Sequence, residues 1–118
     1  MLGGNCHCGA IRIEVPRKPR VLTLCNCSLC RRYGALWAYY NPSGIRVYRS
    51  EEGTVDYSWG DKTIRFVHCA KCGCVTHYET TRNRPRWGVN MRMFAPELLA
   101  GAKIERFDGA LTWKVVKD

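Results

Sequence analysis

Eight cysteines in 118 residues, seven of them in three short groups, constrain this chain more than any other feature. The densest group is Cys25-Asn26-Cys27-Ser28-Leu29-Cys30-Arg31-Arg32, three thiols within six positions. A C-x-C step followed by C-x-x-C turns three sulfurs onto one ion from a single tight loop. Zinc takes four ligands in a tetrahedron, with Zn–S near ~2.3 Å. Three local sulfurs therefore leave one position undecided. A fourth protein ligand there makes the site structural; water or substrate there gives it chemistry.

The other two groups are Cys6-His7-Cys8-Gly9 and, some sixty residues later, Cys69-Ala70-Lys71-Cys72-Gly73. A C-x-C pair on one hairpin and a C-x-x-C pair on another supply four thiolates, a complete tetrahedron. Such a closed site staples the start of the chain to its middle, and zinc ligation of this kind contributes ~10–16 kcal/mol to the folding of small modules. Cys74 is left over. In an extended segment it points to the same side as Cys72, so it reaches either cluster, packs as a small apolar residue, or serves a redox or substrate role. His7, His68 and His77 each neighbour a cysteine group, as replacement ligands or as surface and supporting residues.

A chain of this length fits one domain, residues 1–118. The opening MLGGNCHCGA lacks the basic segment and apolar run of an export signal. No stretch approaches the ~18 apolar residues needed to cross a membrane. A cytoplasmic setting is expected on these grounds. Disulfides are rare in a reducing cytosol, so metal binding is the expected use of the thiols. The net charge of +9 is either a solvated basic surface or an attraction for an anion, whether nucleic acid, phosphate or a carboxylated small molecule.

Ala10 to Val15 alternates apolar and polar residues as a half-buried strand does, and Val21 to Leu24 reads as a strand delivering the cysteine loop. A short helical turn is expected after Cys27, with Gly34 just past its end. Further strands are expected at 36–40, 45–48, 54–58, 63–68, 75–79 and 87–91, bounded by proline and glycine. A one-turn helix at 96–100, opened by Pro96, precedes two closing strands around Ile104 and around Trp113 to Val115. The fold class is mainly β, short strands around zinc sites with one or two short helical turns.

Gly4-Asn5-Cys6-His7-Cys8-Gly9-Ala10, the Cys25 to Arg31 run and Cys69-Ala70-Lys71-Cys72-Gly73 together resemble the glutathione-dependent formaldehyde-activating enzyme family, which also includes centromere protein V. Gly88-Val89-Asn90-Met91-Arg92, Phe107-Asp108-Gly109 and Trp113 carry the resemblance into the C-terminal half. It implies twisted antiparallel sheets and two zincs per chain. Cys6, Cys8, Cys69 and Cys72 would hold a structural zinc; Cys25, Cys27 and Cys30 would hold a catalytic zinc with an open position. Cys74 stands where the family usually has a small polar residue, and a fourth sulfur there would close that position.

The implied reaction is a carbon–sulfur lyase step, the reversible addition of glutathione to formaldehyde. Glutathione is anionic, and Arg31 and Arg32 are the expected contacts for its carboxylates. Trp37, Tyr39 and Tyr40 either line the pocket or form core. A rival reading is a non-catalytic zinc module whose basic surface binds nucleic acid or an acidic partner, with Arg82-Asn83-Arg84-Pro85-Arg86-Trp87 as its best support. A third is a redox or metal-storage role through Cys74.

Overall fold

The computed structural model describes residues 1–60, 62–80 and 86–116. Two sheets organise them. The smaller has three strands: β1 (Leu2–Asn5) and β2 (Ile11–Val15) form a hairpin, and β5 (Arg46–Arg49) pairs with the far side of β2. The larger has eight: β3 (Val21–Cys25), β4 (Trp37–Tyr40), β6 (Thr54–Tyr57), β7 (Ile64–Cys69), β8 (Val75–Thr80), β9 (Trp87–Asn90), β10 (Lys103–Asp108) and β11 (Lys114–Val115). Their order across the sheet is β11-β10-β3-β4-β9-β8-β7-β6. The one α-helical turn among the described residues, α1 (Cys30–Tyr33), ends at Gly34, whose φ of 64° is the left-handed geometry that glycine takes without a Cβ clash. Pro96–Leu99 is a single 3-10 turn, with proline where its missing N–H costs nothing.

Among the described residues every strand pairing is antiparallel except one. β10 runs parallel to β3, with Arg106 opposite Leu24 and Phe107 opposite Cys25. The expected mainly β fold of antiparallel sheets is present, with this one parallel pair added to it. Parallel neighbours need a long crossover rather than a hairpin, and the chain between these two strands supplies it. This pairing brings the C-terminal part of the chain to the Cys25 loop.

Alternation along β4 sorts the core into two layers. Ala38 and Tyr40 pack with Ile11, Ile13 and Val15 of β2, where the small sheet covers one face of the large one. Trp37 and Tyr39 belong with Phe66, Tyr78 and Tyr33 on the other face. The aromatic layer is tight: Trp37 and Tyr78 meet edge to face at 4.9 Å. Cys6 and Cys69 lie in the first layer and Cys30 in the second. The two cysteine groups are therefore built into opposite faces of one sheet.

Candidate functional site

The first group sits on two hairpin tips. The β1–β2 turn is closed by the Cys6 N–H bonding to the Ile11 carbonyl at 3.0 Å, and the β7–β8 turn by the Cys69 N–H bonding to the Cys74 carbonyl at 3.0 Å. Gly73 follows Cys72 with φ of 80°, a geometry that any side chain would strain. These turns bring Cys6, Cys8, Cys69 and Cys72 together. The Cys6–Cys8 and Cys8–Cys69 sulfurs are 3.7 and 3.6 Å apart. A tetrahedron with Zn–S bonds of ~2.3 Å has edges of ~3.8 Å, so the spacing suits that ion.

Backbone donors already serve these sulfurs. The Ile11 N–H reaches Cys6 Sγ at 3.3 Å, and the Lys71 and Cys72 N–H groups reach Cys69 Sγ at 3.4 and 3.5 Å. The Cys74 N–H, working against burial, draws the Cys72 thiol down to about 5. Hydrogen bonds to the charged form favour thiolate, the state a metal needs. Four sulfurs converge with no position left over, which is a closed site.

Cys74 stands beside this first group. The His7 N–H lowers its thiol, but burial and the neighbouring Cys72 sulfur outweigh that, and the net shift is upward. It packs against the inner core layer and is not among the sulfurs of the second group. The histidines hold no place in either group. His77 is wholly buried and turned instead to Thr76 and Glu79, at 3.0 and 2.9 Å.

The second group is Cys25 at the end of β3, Cys27 in the bend and Cys30 at the start of α1, their sulfurs within 4.8 Å of one another. The Cys30 N–H donates to Cys27 Sγ at 3.2 Å and the Cys27 N–H to Cys25 Sγ at 3.5 Å. A hydrogen bond from the Cys30 thiol draws Cys25 down to about 6; the N–H groups of Cys27 and Gly109 add to it, against burial. The same contact, with burial, holds the Cys30 proton in place. The loop is tied to the end of β10. The Asn26 N–H bonds to the Phe107 carbonyl at 3.2 Å, and its side chain donates to Asp108 Oδ1 at 3.1 Å and accepts from the Ala110 N–H at 3.0 Å.

A cavity of about 370 Å³ opens beside this group, walled by Cys25, Asn26, Cys30, Arg31, Arg106 and Phe107. Its size is at the small end of ligand sites, which run from ~300 to 1,000 Å³. Three thiols and an adjoining cavity leave room for a fourth, exchangeable partner.

The two arginines singled out by the sequence part company here. Arg31 lines the cavity. Arg32 donates to the Ser28 carbonyl at 2.6 Å and lines a separate cleft with Tyr57 and Trp59. Successive residues on a helical turn point ~100° apart, so the two guanidiniums do not share one wall. Trp37 and Tyr40 are core, 1% and 4% exposed. In the basic loop, residues 82–85 lie outside the described residues. Arg86 is stacked on the Tyr39 ring at 4.3 Å and Trp87 on His77 at 5.8 Å, so both turn to the fold itself.

Sequence reasoning missed Arg106 and the contact of Gly109 with Cys25. No local pattern marks either one. Their positions follow from the parallel register of β10 on β3.

Residues 1–108 match the model of a family described as glutathione-dependent formaldehyde-activating enzyme. A crystal structure of a Rhodobacter sphaeroides protein superposes with a TM-score of 0.73 at 34% sequence identity, over 87% of this chain and 99% of that one.

Proposed function

The chain belongs to the glutathione-dependent formaldehyde-activating enzyme family, and on that ground we propose that it is a zinc-dependent carbon–sulfur lyase. Its reaction would be the reversible addition of glutathione, or a related thiol, to formaldehyde or a similar small carbonyl. The observation that carries this reading is the contrast between the two cysteine groups. One gathers four sulfurs with no position to spare; the other gathers three beside a cavity.

Cys6, Cys8, Cys69 and Cys72 would hold a structural zinc, and Cys25, Cys27 and Cys30 a second, catalytic one. The second zinc would supply Lewis acidity and hold the incoming thiol as thiolate at neutral pH. Overall the reaction is balanced without oxidant or reductant. The S–C bond forms, the carbonyl π pair moves to oxygen, and the thiol proton ends on that oxygen. Breakdown of S-hydroxymethylglutathione reverses each change.

The chain's own groups do the positioning. The N–H groups of Cys27 and Gly109 favour the charged form of Cys25, and the Cys30 N–H orients Cys27 Sγ. Arg31 would take a substrate carboxylate from the wall of the cavity. Phe107 lines the same cavity and limits its shape. Arg32, engaged with Ser28, is dropped from the substrate contacts. Residues 1–118 would act as one domain, and the eight unpaired cysteines suit a reducing, cytoplasmic setting.

Exchange NMR on glutathione plus formaldehyde, with and without catalytic amounts of zinc-loaded protein, tests the proposal. Adduct formation and breakdown should accelerate, and the Cys27→Ser protein should lose the acceleration. Equal rates with and without protein would overturn it.

A further inference from the structure

The large sheet ends on two different edges. At one end β11 is two residues long and carries Lys114, a short, charged strand of the kind that discourages further pairing. At the other end β6 pairs with β7 on one side, and among the described residues no strand covers its other side. It has no proline, lysine or bulge to block it. Val55, Tyr57 and Trp59, spaced by two, are 47, 49 and 47% exposed. Val55 and Tyr57 share one face, since successive strand residues alternate.

The ladder fixes which backbone groups stand open. The Ala70 N–H bonds to the Gly53 carbonyl, while the Cys69 N–H turns the other way, to the Cys74 carbonyl. Bonding residues alternate along an antiparallel pair. Val55 and Tyr57 therefore direct their N–H and C=O groups to β7, and those of Thr54 and Asp56 face the open edge.

A second copy of this strand, related by a twofold axis normal to the sheet, lies antiparallel to the first. Only three registers oppose Thr54 and Asp56 to themselves or to each other. Asp56 opposite Asp56 brings like charges together. Thr54 opposite Thr54 sets Asp56 against Glu52 of the other copy, again like charges, which are destabilising when directly opposed. The third register opposes Thr54 to Asp56 at two places. Each such pair exchanges both of its bonds, so every open group is satisfied. The two Val55 side chains then meet at a non-hydrogen-bonded position, where side chains approach most closely. Tyr57 lies over the other copy's Gly53, where no side chain competes. Asp56 keeps Arg65 of its own sheet at 4.0 Å. The charges along the strand fit one arrangement of its own copy.

We propose that β6 is a self-association surface, an antiparallel β6–β6 pairing centred on Val55 that joins the eight-stranded sheets of two copies into one. A short strand and a narrow apolar stripe place this interface in the small, reversible class rather than the obligate one. It stands independently of the chemistry assigned to the cysteines.

Sedimentation equilibrium of the zinc-loaded protein from about 5 to 500 µM, the range in which weak association is read, tests the proposal. The mass should rise with concentration from 13.5 kDa toward twice that value. Asp56→Pro removes an edge-facing N–H, at a place where an edge strand accepts proline. Val55→Lys sets two ammonium groups face to face. Each should weaken association at least tenfold, whereas Lys114→Ala at the other edge should leave it unchanged. Amide hydrogen exchange by NMR locates the surface: the Thr54 and Asp56 N–H groups should gain protection as concentration rises, and those of Val55 and Tyr57 should be protected throughout. If circular dichroism shows Asp56→Pro to be unfolded, Val55→Lys, which alters an exposed side chain, carries the test alone.

A mass of one chain at every concentration would overturn the proposal and leave this edge to a foreign strand. So would association that the folded variants leave intact, or an associated protein in which Thr54 and Asp56 gain no protection.

Discussion

Gly109 lies against Cys25 so closely that a Cβ on it would stand 2.7 Å from Cys25 Sγ and 3.2 Å from Cys27 Cβ. Its N–H is also one of the donors that keep Cys25 in its charged form. The β10 end is thus the lid of the three-cysteine group, and glycine is the residue that lets it sit there. Gly109→Ala is expected to push this lid off Cys25. Loss of such an outer-shell contact typically costs ~10–100-fold in metal affinity or activity. Competition with a colorimetric chelator should show one of two zinc equivalents released more readily, with the other unchanged.

The two cysteine groups should fail in different ways. The four-sulfur group joins the β1–β2 and β7–β8 hairpins within the buried core, so Cys69→Ser removes a ligand of the proposed structural zinc as well as a buried sulfur. Circular dichroism should show a large loss of thermal stability, or no folded protein. Cys27→Ser acts on a loop that Asn26 still ties to Asp108. It should keep the sheet spectrum, hold one zinc in place of two, and lose activity.

Much of this was legible in the sequence because it is local. Alternation in Ile11–Val15 and Ile64–Cys69, the glycine after Cys72 and the spacing within each cysteine group all report on neighbouring residues. Arg106 and Gly109 were not legible, since only the parallel register of β10 on β3 carries them to the Cys25 loop. Arg31 and Arg32 look equivalent in sequence and diverge because a helical turn rotates ~100° per residue. Cys74 was ambiguous for a different reason. Alternation gives the side it faces but not which site that side meets, and the tight turn at Gly73 decides for the first group.

Because Cys74 sits beside the closed group and outside the three-sulfur group, Cys74→Ser should leave metal content at two zincs per chain. Exchange between glutathione and formaldehyde should stay within about twofold of the unmodified protein, on the usual scale of substitutions away from special features. Elemental analysis alongside the exchange measurement checks both.

Glu79 joins three elements. It accepts from Arg65 of β7 at 2.7 Å, meets His77 of its own strand at 2.9 Å, and lies 3.7 Å from Arg49 of the small sheet. The hydrogen bond to His77 first, then the charges of His77, Arg65 and Arg49, hold its carboxyl below the ordinary carboxylate range against the cost of burial. A carboxylate lowered in the folded state stabilises the fold above its unfolded value, and that contribution is lost as pH falls through the folded value. Glu79→Gln should therefore destabilise the protein by roughly 2 kcal/mol near pH 7, the scale for a hydrogen bond to a charged group. Denaturant titrations should show the gap between the two proteins closing as pH falls below the unfolded carboxyl value of about 4.3 and on through the lower folded value, where Glu79 is neutral in both states. Taking the difference cancels the acid loss of metal that the two proteins share.

The central claim is that Cys25, Cys27 and Cys30 hold a metal whose fourth position is open to a thiol, while Cys6, Cys8, Cys69 and Cys72 hold one that is closed. Cadmium-113 NMR of the cadmium-substituted protein, titrated with glutathione, tests both halves at once. Two resonances are expected. One should move with added glutathione and vanish in Cys27→Ser; the other should stay fixed throughout. A single resonance, or two that both ignore glutathione, would contradict the account.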